Sequence, residues 1–142
     1  MKRLFFVFVS VTLTITSFAG KINSSSVPAA VRSAFSKNFS GVNDVKWEKE
    51  KGNYEANFKQ ANKTMSALFN EKGEWLETET GIKINDLPAN VLSYISANYK
   101  GAKIKETAQI KKANGAMQYE AEVKGKDIIF DDRGNFIKEE KD

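Results

Sequence analysis

Apolar residues recur along this chain at two different periods, and the switch between them happens twice. Val27, Val31, Ala34, Phe35 and Phe39 fall at i, i+4, i+7, i+8 and i+12. Leu87, Val91, Tyr94, Ile95 and Tyr99 repeat that spacing sixty positions later. Each set is one stripe of an amphipathic helix about three turns long. Pro28 and Pro88 lie in the first turn, where a missing N–H costs nothing. Ser26 and Asp86 stand where a side-chain oxygen can cap first-turn amides. Gly41 and Gly101 close each helix with a residue that tolerates left-handed backbone. Seven of the fifteen positions in 27–41 are identical to their counterparts in 87–101, so the segment is a repeat.

After each glycine the period drops to two. Val45 and Trp47 share one strand face, and Tyr54, Ala56 and Phe58 share the next, with a turn at Gly52-Asn53. In the second copy Ile104, Ala108 and Ile110 are expected on one face. Asn114-Gly115 turns the chain, and Met117, Tyr119, Ala121 and Val123 follow. The intervening residues are polar: Glu55, Asn57 and Lys59 in one copy, Glu120, Glu122 and Lys124 in the other. Apolar-in and charged-out alternation predicts antiparallel strands with one wet face. Each copy ends on a hairpin, Phe69-Asn-Glu-Lys-Gly73 before Trp75-Leu76 and Phe130-Asp-Asp-Arg-Gly134 before Phe136-Ile137. Neighbours on a strand point to opposite faces, so one member of each apolar pair should lie outside the core.

The predicted fold is α+β: two tandem repeats at 27–80 and 87–142, each one helix followed by a four-stranded antiparallel sheet. Residues 20–26 read as a linker and 81–86 as a connector. A unit of this size buries too little surface to be stable alone. The two are therefore expected to share contacts, with their sheets aligned in one curved surface.

The ends and the composition narrow the setting. Lys2 and Arg3 precede a short apolar run, and Ser17-Phe18-Ala19 places small residues before a cut after Ala19. Residues 1–19 thus read as a signal peptide, and cleavage leaves no stable membrane span. Lys2 and Arg3 leave with it, so 20 basic side chains face 18 acidic ones, a formal charge of +2. The signs alternate and form no basic stripe, which argues against nucleic acid. The chain has no Cys and no His, which removes disulfides, thiolate and imidazole metal ligands, and His-based catalysis. No cofactor or metal is expected. The Asp131-Asp132 turn lacks the alternating ligands of a calcium loop and reads as turn chemistry.

The ordered set of a helix with Pro in its first turn, a Tyr-Glu-Ala strand (54–56 and 119–121) and an acidic Gly-ended hairpin (69–76 and 130–137), found twice, resembles a known group. It is similar to the PepSY-like, beta-lactamase-inhibitor-protein-like secreted proteins common in Bacteroidetes. That resemblance implies tandem helix-plus-sheet units presenting one long sheet surface. In the inhibitor that lends the group its name, such a surface grips an enzyme. No stretch here matches an inhibitory loop.

The expected function is that of an exported, non-enzymatic protein, periplasmic or secreted, that binds an envelope protein or peptide through its polar sheet face. The candidate surface is Glu55, Asn57 and Lys59 with Glu120, Glu122 and Lys124, joined by Trp75 and Phe136 as aromatic anchors. One alternative is a proteinaceous inhibitor of an envelope peptidase or beta-lactamase. Another is a carboxylate-based hydrolase, which would need a pocket holding two acids with raised pKa values.

Overall fold

The computed structural model describes residues 20–141; the expected signal peptide and its cleavage site lie outside them. Helices α1 (Ala29–Asn38) and α2 (Ala89–Asn98) form where the stripes predicted them. Val31 and Phe35 of α1, like Val91 and Ile95 of α2, are buried. Each helix starts directly after its proline. Ser26 and Asp86 do not cap it, because each lies one step earlier in a 3-10 turn, Ser24–Ser26 or Ile84–Asp86. Asp86 instead accepts a hydrogen bond from the backbone N–H of Lys83 at 3.2 Å. Gly41 and Gly101 are left-handed, with φ of +82° and +69°, two residues past the C-caps Phe39 and Tyr99.

Among the described residues nine strands pair in sequence order: β1 (Gly20–Ile22), β2 (Val45–Glu50), β3 (Asn53–Gln60), β4 (Lys63–Phe69), β5 (Trp75–Gly81), β6 (Ile104–Lys112), β7 (Met117–Val123), β8 (Lys126–Asp131) and β9 (Phe136–Lys141). Two four-stranded sheets aligned in one curved surface were expected; a single nine-stranded antiparallel sheet is observed among the described residues. The reason is β5, which closes the first repeat and opens the second. It pairs with β4, and its other edge pairs with β6 from Glu77↔Lys112 to Gly81↔Ala108. Ile82 extends the ladder through its N–H to the Thr107 carbonyl at 3.0 Å. The same relation holds sixty residues earlier, where Ile22 of β1 lies opposite Trp47. Segment 20–26 therefore contributes a strand and a 3-10 turn ahead of α1, much as 81–86 continues β5 and turns ahead of α2. An unpaired β5 or β6 edge would leave a row of open backbone groups, and pairing them with each other removes both.

Directly opposed residues of an antiparallel pair share a face. The chain of partners Ala56, Ala67, Thr78, Lys111 and Met117 thus sets one side of the whole sheet, and both helices pack there. Val31 and Phe35 meet Trp47, Tyr54, Phe58 and Phe69 in one core; Val91 and Ile95 meet Val123, Ile128 and Phe130 in the other. Tyr54 is buried and Tyr119 packs half-buried against the second core, as the repeat required. Ile104 also packs there, but Ala108 and Ile110 do not share its face. A register shift between Ile104 and Thr107 moves them to the opposite side.

The acidic hairpins lock each helix to the sheet. Gly73 has φ +81°, and a Cβ on it would stand 2.6 Å from the Ala30 carbonyl oxygen of α1. Gly134 has φ +82° and would meet Pro88 at 2.9 Å. The Asn90 side chain donates to the Arg133 carbonyl at 3.2 Å, clasping the second hairpin to α2. Gly73→Ala and Gly134→Ala should each lower stability by more than about 1 kcal/mol, because steric conflict adds to the left-handed strain. Ala at Gly52, also left-handed but with open space around it, serves as the control for strain alone. Urea midpoints of the three variants measure the difference.

Candidate functional site

The side of the sheet away from the helices carries the polar residues of the repeats. Its rows are set by pairing: Asn57, Ser66, Glu79, Ile110 and Gln118 in one, Gly81, Ala108, Glu120, Ile129 and Lys138 in another. Near the junction of the repeats this face opens into a trough of about 800 Å³. Its floor is low because the residues meeting there are small: Ser66, Gly81 and Ala108. Ile82, Lys83, Ile84 and Asn85 line one wall. The connector is thus part of the site, which its sequence did not mark.

Glu55, Asn57 and Glu120 all line the trough. Lys59 lies on the same side of the sheet, two residues beyond Asn57, and is exposed outside the trough. Glu122 is on this side too but is not wet: it is only 7% exposed, with its carboxylate 2.8 Å from the Lys105 ammonium. Lys124 leaves the row because it sits at φ +55° in the turn between β7 and β8. Trp75 and Phe136 are on the helix side. A register shift between Leu68 and Phe69 pairs Trp75 with Phe69, and its indole donates to the Thr78 hydroxyl at 2.9 Å. Phe136 pairs with Phe130 across a matching shift and stacks on Tyr94 at 4.8 Å, while staying 42% exposed. The structure therefore brings together Glu55, Asn57 and Glu120, with Lys59 nearby, and separates the two aromatics from them.

One residue the sequence did not single out, Glu79, shapes the electrostatics of the trough. Glu79 lines the trough, and its pKa is raised to about 7 by burial first, then by Glu77, Glu55 and Asp127; Lys112 offsets this least. Glu77 itself binds the Lys112 ammonium. Glu55 is raised as well, by burial and by Glu48, Glu50 and Glu77, against a hydrogen bond with Ser66 that lowers it. Elsewhere on this face Ile110 and Ile129 are each only 3% exposed although no helix packs there. Among the described residues no group of three His, Cys, Asp or Glu could hold a metal ion.

A family profile described as "Putative beta-lactamase-inhibitor-like, PepSY-like" matches residues 14–67 and again 52–138. The chain belongs to this family. The profile matches twice, with the two stretches overlapping at 52–67. Among solved structures, a "putative periplasmic" protein of Bacteroides eggerthii superposes with a TM-score of 0.70 at 17% identity, covering 81% of this chain and 88% of that one. A DUF2874 family protein of Bacteroides uniformis gives 0.69 at 20% identity over 80% and 88%. A BLIP-like protein of Bacteroides fragilis gives 0.62 at 25% identity over 80% and 86%. These likenesses establish the fold of this PepSY-like chain. No curated protein matches it. Among the described residues no helix is long and apolar enough to cross a membrane.

Proposed function

We propose that this PepSY-like protein is a non-enzymatic periplasmic or secreted binding protein that grips a protein or peptide through its open sheet face. The observation that carries the reading is the continuous nine-stranded sheet: both helices cover one side and leave the polar side, with its trough, uncovered. Paired strands make that side a preorganised platform, so little ordering entropy opposes a partner. The periplasmic setting is supported by the expected signal peptide and by relatives such as the "putative periplasmic" Bacteroides eggerthii protein.

Charge reversal on the face tests this. Glu55→Lys, Lys59→Glu and Glu120→Lys together should weaken capture of an envelope partner at least about tenfold, with the thermal midpoint showing the variant folded. Glu122 is left unchanged because reversing a buried, paired carboxylate would unfold the sheet rather than probe it. Unchanged capture by the folded variant would reject the face. Inhibition of an envelope peptidase or beta-lactamase is a special case of the same reading, supported by the family description.

The hydrolase reading has one specific observation in its favour, two trough acids with raised pKa values. A carboxyl titrating near neutral pH suits a general acid. Turnover of chromogenic glycosides that disappears in Glu79→Gln would decide for it; a panel left unhydrolysed leaves binding as the account of the face.

A further inference from the structure

The trough has features that specify the chemistry of an occupant. Its volume falls within the roughly 300–1,000 Å³ of pockets that bind ligands, so it has room for a side chain. It exists because β5 and β6 oppose Gly81 to Ala108 on the open face, where neither residue fills the space beside Ser66 and Glu79. Four carboxylates border it, from Glu55, Glu79, Glu106 and Glu120, against two ammonium groups, from Lys83 and Lys105. The Lys105 ammonium is engaged by buried Glu122. Ile84 adds apolar surface at the rim, where it is 43% exposed.

We propose that the trough takes a peptide segment of a partner through a Lys or Arg side chain, whose cationic head lies beside Glu55 and Glu79 and whose methylene stem lies along the trough toward Ile84. The proposal rests on the sheet-face reading and narrows it to one partner chemistry. Charge complementarity selects a cation, because an anionic side chain would meet like charge from both Glu55 and Glu79. A long basic side chain also suits a site with acids at one end and apolar surface at the other, since its stem is apolar and its head charged. Arg adds a planar fork matched to carboxylates. Burial of Glu55 and Glu79 beside other acids gives an incoming cation repulsion to relieve.

The test is a titration of the ¹⁵N-labelled protein with two blocked tripeptides, Lys-Ala-Lys and Glu-Ala-Glu, followed by amide shifts. Lys-Ala-Lys should move the amides of Ser66, Gly81 and Ala108 in a saturable way, and Glu-Ala-Glu should not. Ala108→Trp fills the floor without changing charge and should abolish the response. Glu55→Gln with Glu79→Gln keeps the shape and should weaken it at least about fivefold. Equal responses to the two peptides, a response unaltered in the folded Ala108→Trp or double Gln protein, or no response at about 10 mM peptide would overturn the proposal. A partner captured equally by wild type and Ala108→Trp overturns the trough while leaving the sheet-face reading intact. Capture that survives charge reversal on the face removes that reading itself.

Discussion

Phe130→Ala in the second repeat is expected to lower the urea midpoint reported by tryptophan fluorescence, although both tryptophans, Trp47 and Trp75, lie in the first. The local cost is that of deleting a buried aromatic ring, about 3–5 kcal/mol. Phe130 is fully buried, edge-on to Tyr94 at 5.5 Å and against Phe136 at 6.4 Å. Its counterpart Phe69 is also fully buried, 6.4 Å from Phe35, and Phe69→Ala should show a similar loss. The second repeat controls a probe in the first because neither half is stable at its size alone, and the β5–β6 ladder couples them. That ladder runs over five paired positions and continues through Ala113 N–H to the Leu76 carbonyl at 2.8 Å. Fluorescence and far-ultraviolet circular dichroism should therefore report one transition for wild type and for both variants. A Phe130→Ala protein whose fluorescence transition stays in place while the dichroism curve splits would show the halves folding independently, and the nine-stranded sheet would then be two sheets in contact.

What the sequence made legible was local. The 3.6-period stripes at 27–39 and 87–99 carry their own helix signal, and Pro28, Pro88, Gly73 and Gly134 punctuate the chain where the backbone requires them. Period-two alternation fixed the inward side of β3, and Tyr54, Ala56 and Phe58 are all buried. What stayed hidden depends on partners distant in sequence. Nothing local in Glu77–Gly81 says that its second edge will be taken by β6. The available signal was that Ile22 and Ile82, like the helices, are sixty residues apart, so that a strand precedes each helix. Register shifts were equally hidden. One moves Ala108 and Ile110 off the face of Ile104, and another turns Trp75 inward. Glu122 looks like any outward strand acid until Lys105, seventeen positions away, covers it. The trough was illegible for the same reason: Ser66, Gly81 and Ala108 are unremarkable singly and make a depression only when pairing sets them side by side.

Glu79→Gln is expected to stabilise the protein at pH 8 and to leave it unchanged near pH 4.5. Burial, then Glu77, Glu55 and Asp127, raise the Glu79 pKa to about 7 in the folded protein, from 4.5 for the ordinary side chain. The folded state thus binds this proton more tightly than the unfolded chain. Its contribution is fully present below pH 4.5, declines as pH rises, and is lost once pH passes about 7. The loss is on the order of 2–3 kcal/mol for a shift of this size. Glutamine has nearly the same shape and no charge at any pH, so the variant should lose this slope and exceed wild type at pH 8 by on the order of 2 kcal/mol. Raised Glu55 adds to the same slope in wild type. Asp131, Glu139 and Glu140 are lowered by their hydrogen bonds to Asn135, Lys126 and Lys138. They act with opposite sign and below pH 4.5, where protonation removes their contribution, so the two windows do not overlap. Urea midpoints of wild type and Glu79→Gln at pH 5 and pH 8 measure the effect, and its sign decides the physical cause. A Glu79 held by a resident cation would make the Gln variant weaker at pH 8; a Glu79 held only by its fold, against burial and like charge, makes it stronger. The second outcome identifies a carboxylate kept at the floor of the open face at the expense of stability, the trade expected of a residue that serves binding rather than folding.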